Sequence, residues 1–121
     1  MRSLIFAAAF CLALLYFAGA APAANSRFMV LGVGASSCGV WTADRQGHDV
    51  WSKAKAFTDE AWVEGFLTGY NKYESGSNNV SSTTDPDGVF AYIDNWCRQH
   101  SLRDIATASE ALILKLEYRH R

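Results

Sequence analysis

After its first two dozen residues the chain has no apolar run long enough to span a bilayer, no excess of positive charge and no internal repeat. Each absence removes a class of protein. With Arg2 set aside, ten Lys and Arg stand against twelve Asp and Glu. This mildly acidic, mixed-sign balance argues against nucleic acid or an anionic membrane as the main partner. No Ser-His-Asp order and no paired-carboxylate motif can be assembled from the three histidines, His48, His100 and His120, and the scattered acids. No cofactor and no metal are expected, and a small hydrolase ranks third among the readings of function. Glu64, between Trp62 and Phe66 in a helix, is turned by helical geometry toward Thr68 and Asn71 and is expected to be solvated.

The beginning of the chain reads as an address. Arg2 supplies a positive start, LIFAAAFCLALLYFA an apolar run, and APA before Ala24 a small-x-small cleavage site. Residues 1–23 are therefore expected to be a cleaved secretory signal peptide that takes Cys11 with it. The apolar run, about 15 residues, is short for a membrane anchor of roughly 20. Residues 24–121 are expected to form one small domain, periplasmic or secreted, with no membrane contact after cleavage.

That leaves two cysteines, Cys38 in the stretch GASSCGVWTADR and Cys97 in NWCRQH. In an oxidising compartment an even pair is expected to bond. Closing the long loop between them stabilises the fold by about 4 kcal/mol in the chain-entropy model. Zinc is the sharper rival: Cys97 and His100 have Cys-x-x-His spacing, and Cys38 and His48 complete a set of four. A cysteine nucleophile is a third reading, without a base that can be located.

The domain is expected to be all-α, about four helices stapled by the one disulfide. A short helix runs from near Ser37 to about Arg45. A second starts at Thr58-Asp59-Glu60 and carries a stripe of Trp62, Phe66, Tyr70 and Tyr73, widened by Val63 and Leu67. Asp85-Pro86-Asp87 opens a third with Val89, Phe90, Ile93, Trp96 and Cys97 at helical spacing. Ser101 with Asp104 resembles a capping box ahead of a last helix bearing Leu102, Ile105, Ala106, Leu112, Ile113 and Leu116. The aperiodic ESGSNNVSSTT, 74–84, predicts a mobile loop.

Three features bear on binding. Gly65 and Gly69 lie inside a helix at a combined cost of about 2 kcal/mol relative to alanine. The spacing predicts a close approach there, either a tight helix crossing, such as one against the helix bearing Trp96, or a slot for a ligand or partner segment. Gly32-Val33-Gly34 reads as a flexible turn. Ala111, Leu114 and Tyr118 form a second apolar strip on the last helix, a surface for a protein partner or a homodimer unless that helix is buried on both sides. Trp41, Trp51, Trp62 and Trp96 are expected to supply the core, with the lining of a binding groove as the alternative.

The order of these elements, with a cysteine opening a short helix, GFLTGYN in the next, and NWCRQHSLRDIATA before a last amphipathic helix, resembles two groups of small exported bacterial proteins. One is the Hde-type periplasmic acid-stress chaperones, the other the immunity proteins against type VI secretion amidases. The resemblance implies non-enzymatic binding in the periplasm and a structural disulfide at Cys38 and Cys97. Chaperone-like protection of client proteins is the first expectation, and inhibition of a toxin enzyme is the alternative. Under the first, acid loosens the packing and exposes Trp62, Phe66 and Tyr70 to clients.

Overall fold

A computed structural model describes residues 29–76 and 79–119. The expected leader, 1–23, and His120 lie outside the described residues. A 3-10 turn, Gly32–Ala35, precedes four α-helices: α1 (Cys38–Gln46), α2 (Val50–Tyr73), α3 (Pro86–Gln99) and α4 (Ile105–Arg119). Among the described residues there is no strand, only one isolated bridge between Ser37 and Asp104. The all-α fold of about four helices is as the sequence predicts.

Local chemistry explains where each helix starts. Ser37 caps α1, its hydroxyl accepting from Val40 N–H, and Asp85 caps α3 ahead of Pro86, both as expected. The other two starts differ. The second helix begins at Val50, not at Thr58, because Asp49 Oδ1 accepts from the N–H groups of Trp51 and Ser52 and its Oδ2 accepts from Ser52 Oγ. Of the added residues Val50–Phe57 only Ala56 is buried, so no apolar period marks them, and Thr58 is mid-helix with its hydroxyl donating to Ala54 O at 3.0 Å.

The last helix begins at Ile105. Asp104 Oδ1 accepts from both Thr107 N and Thr107 Oγ1 at 2.7 Å, so Asp104 is the cap and Ser101 is not. The reason is tertiary. Carbonyls of Ser101 and Arg103 accept from Gly39 N (3.0 Å) and Cys38 N (2.7 Å), the otherwise orphaned donors at the start of α1, while Ile105 N donates to Ser36 O at 3.0 Å. A helix through these residues would direct their carbonyls elsewhere, and Leu102, expected on the core stripe, is almost wholly exposed in the resulting turn.

Cys38 and Cys97 are bonded, S–S 2.04 Å, across a sequence separation of 59. The bond ties the first residue of α1 to the last turn of α3 and removes both sulfurs from the zinc set and from nucleophilic chemistry. Around it the core is built from Trp41 of α1, Val63 and Leu67 of α2, Val89, Phe90 and Ile93 of α3, and Ile105, Leu112, Ile113 and Leu116 of α4. The stripe on α2 is rotated from the expected one. Val63 and Leu67 form its centre, Trp62, Phe66 and Tyr70 are half-buried at its edge, and Tyr73 is exposed. The tryptophans divide: Trp41 is fully buried, Trp62 and Trp96 are half-buried and Trp51 is exposed.

The 74–84 connection is anchored at its middle. Val80 enters the core, its N–H donating to Asn71 Oδ1 at 3.0 Å, and Asn71 Nδ2 donates to Asn79 Oδ1 at 2.9 Å. The glycines before α1 lie in the 3-10 turn Gly32–Ala35. Gly34 is buried in the 3-10 turn with its backbone against the Trp62 indole, where a Cβ would fall 2.1 Å from a ring carbon.

Candidate functional site

Helices α2 and α4 pack through their inner faces and leave an open groove of about 810 Å³ between their outer shoulders. On the α2 side stand Gly65, Phe66, Gly69, Tyr70 and Tyr73, on the α4 side Ile113 and Leu114. These positions follow from helical spacing: residues 65, 69 and 73 lie one turn apart beside the buried line of Val63 and Leu67, and 110, 113, 114 and 117 form one ridge of α4. The expected tight crossing at the glycines is absent. A Cβ added at Gly65 or Gly69 meets nothing within 4 Å, so their small size widens a groove rather than admitting a neighbouring helix of this chain.

The mouth of this groove is acidic. Its charged lining residues are Glu74, Glu110 and Glu117, with no Lys or Arg among them. The Tyr70 hydroxyl donates to Glu117 Oε1 and so links the two walls. Holding that proton against the carboxylate raises the Tyr70 pKa above the ordinary tyrosine value.

A second apolar hollow of about 520 Å³ continues along α2 toward the start of the described chain and shares Gly65 and Phe66 with the first. Its wall is Met29–Leu31 and Trp62. Trp62 Nε1 donates to Leu31 O at 2.8 Å, and its ring stacks on Phe66 with centroids 5.3 Å apart and planes at 19°. The two hollows share the Gly65–Phe66 wall and make one largely apolar trough, with the Trp62–Leu31 bond in one part and the Tyr70–Glu117 bond in the other.

Of the residues expected to bind a partner, Phe66, Tyr70 and Leu114 line the groove and Trp62 lines its continuation. Leu114 and Tyr118 are exposed, so the last helix is not buried on both sides. Ala111 is half-buried, with its carbonyl accepting from the Tyr92 hydroxyl at 3.3 Å, and belongs to the α3–α4 contact more than to the strip. The open wall at Gly65 and Gly69 fits the slot of the two alternatives the sequence offers, whereas sequence reasoning missed the acidic lip of Glu110 and Glu117. The signal for the lip was present, acids at i and i+7 flanking Leu114 on one helix, but which face of α4 met α2 was not legible.

Two polar clusters lie elsewhere. Arg45 of α1 pairs with Asp94 of α3 through Nη2–Oδ2 at 2.9 Å and Nε–Oδ1 at 3.1 Å, and with Glu60 of α2. Nearby, Asp59 is 3% and Asp44 8% exposed. Asp59 Oδ2 has no hydrogen-bond partner among the described residues. Burial, then the charges of Asp44 and Glu60, push the Asp59 carboxyl up to about 6, against the weaker pull of Lys55. His48 is exposed, and His100 stacks on Trp96 with centroids 4.2 Å apart, Nδ1 lying 2.8 Å from Trp96 O. Among the described residues no three His, Cys, Asp or Glu side chains are grouped to hold a metal ion, and no helix is long and apolar enough to cross a membrane.

No family model, no curated protein and no solved structure matches this chain.

Proposed function

We propose that this protein is a non-enzymatic binding protein of the bacterial periplasm that shields apolar segments of other proteins, as a stress chaperone does. The observation that carries the reading is the apolar trough along α2. It is open, it is lined by half-buried aromatics and two glycines, and nothing in the described chain fills it. Grooves of this kind hold apolar side chains of a partner without requiring one sequence. A disulfide joining the first and third helices supports a life in an oxidising compartment and keeps α1 and α3 together when other contacts weaken.

Acid is the stress the charges fit. Arg45 is held to α2 and α3 by ion pairs with Glu60 and Asp94, contacts that depend on charge, while the covalent tie of α1 to α3 does not. The test is aggregation of an acid-labile client at about pH 2 to 3 and after neutralisation, with and without the protein. Suppression that is lost in Gly69→Leu supports the reading; no suppression at either stage removes it.

A further inference from the structure

The groove between α2 and α4 has a chemistry more selective than apolarity alone, and the inference drawn from it rests on the binding reading above while naming the partner. We propose that the groove takes a basic amphipathic α-helix from another protein, with its small or apolar face against Gly65 and Gly69 and its Lys or Arg flank against Glu110 and Glu117.

Three observations meet in this assignment. The walls are two helical ridges, and the α2 wall from Gly65 to Tyr73 runs for about 12 Å, two turns at 1.5 Å per residue, so the hollow has the length and direction of a short helix rather than of a round ligand. Both glycines leave open space at the α2 wall, which lets a second backbone approach as closely as helices do over small residues. Every charged residue lining the groove is a glutamate; Glu110 and Glu117 are seven residues apart on α4, two turns, matching cations two turns apart on a docked helix. A helix that buries an apolar stripe and carries Lys or Arg beside it satisfies all three at once. A helix with an acidic flank would set like charges together at the mouth.

A second copy of this chain is the rival occupant, since Leu114 and Tyr118 are also exposed. An antiparallel two-fold pairing through α4 brings the acidic shoulder of one copy against that of the other, which charge opposes.

The experiment uses the oxidised protein from the full chain and three labelled synthetic peptides: a helix with a Leu/Ala face and Lys flanks, its twin with Glu in place of Lys, and the Lys peptide interrupted by proline. Fluorescence anisotropy is expected to show the Lys peptide binding at least tenfold more tightly than either of the others. Gly69→Leu is expected to abolish that binding, with Gly65→Leu as the second variant if circular dichroism shows Gly69→Leu misfolded. Glu110→Lys combined with Glu117→Lys is expected to invert the preference between the twins. Equal binding of the twins, equal binding of the proline peptide, or binding indifferent to both glycine variants overturns the proposal. So does a dimer in sedimentation that Gly69→Leu returns to monomer while no peptide binds. The client assay separates the two levels. If client protection is lost in Gly69→Leu but the twins bind alike, the partner chemistry fails and the groove remains a binding site. If the Lys peptide binds as expected and no client is protected, the chaperone reading fails and this assignment stands.

Discussion

Trp41 Nε1 donates a 2.7 Å hydrogen bond to Asp94 Oδ1, joining the one fully buried tryptophan, on α1, to a half-buried carboxylate on α3. The same carboxylate takes two bonds from Arg45, whose guanidinium also lies 5.7 Å from the Trp41 ring centroid and 5.6 Å from that of Phe90. One acid thus satisfies an indole and a cation that the packing of α1 on α3 withdraws from water. Asp94→Ala strands the indole and leaves Arg45 with Glu60 alone, and is expected to lower stability by about 2 kcal/mol, read as a lower urea midpoint at unchanged slope. Asp94→Asn keeps an acceptor for Trp41 and is expected to lose about half as much. A full-sized loss in the Asn variant would move the weight from the indole to the Arg45 charge.

Removing the disulfide has a larger effect. Cys38→Ser with Cys97→Ser frees the denatured chain from a long closed loop, and about 4 kcal/mol of stability is expected to go with it. Urea titrations of the oxidised and reduced wild type should reproduce the gap. A difference under about 1 kcal/mol would show that the Ser37–Asp104 bridge and its neighbouring backbone bonds hold that end of the fold alone.

Asp59 gives the fold a pH dependence of opposite sign to that of a salt-bridged acid. Its carboxyl is pushed up to about 6, well above the ordinary aspartate value near 3.8. Its stabilising contribution is therefore fully present below about pH 4 and is lost as pH rises through about 6. Asp59→Asn is expected to raise stability by roughly 2 kcal/mol at pH 7 and to leave it nearly unchanged at pH 4. Melting temperatures across that range would refute the assignment if the two proteins ran parallel. Mild acid consequently tightens the contact of α1 with α2.

Gly34→Ala tests the seat of Trp62. The added methyl falls 2.1 Å from the indole, so either the ring or the 3-10 turn must move, and the bond from Trp62 Nε1 to Leu31 O is expected to break with it. A loss of about 1–3 kcal/mol and a red-shifted tryptophan emission are expected. Gly65→Ala, facing open space, is expected to stabilise α2 by up to about 1 kcal/mol.

The helices that the sequence reveals best are those whose signals are local. Asp85-Pro86 and the Val89, Phe90, Ile93 period define α3 without reference to the rest of the chain. The first eight residues of α2 carry no core-facing stripe, so their only mark is Asp49 as a cap. Ser101 resembles a cap because its sequence neighbours fit, yet its carbonyl is claimed by Gly39 sixty-two residues earlier in the chain, a competition no local pattern records. The groove is legible in part: Gly65 and Gly69 mark a place where something approaches the backbone, but whether that something belongs to this chain depends on the direction of α4. That direction is set by the bonds of residues 101–105 to the start of α1.

Those bonds have a mechanical consequence. The disulfide ties α1 to α3, and the backbone bonds of residues 101–105 tie α4 to the start of α1. Among the described residues no backbone bond joins α2 to α4: they meet through side chains alone, Val63 and Leu67 with Leu112, Ile113 and Leu116 in the core and Tyr70 with Glu117 across the groove. An occupant that spreads the walls therefore works against packing and one hydrogen bond, while every covalent and backbone tie of the fold lies elsewhere.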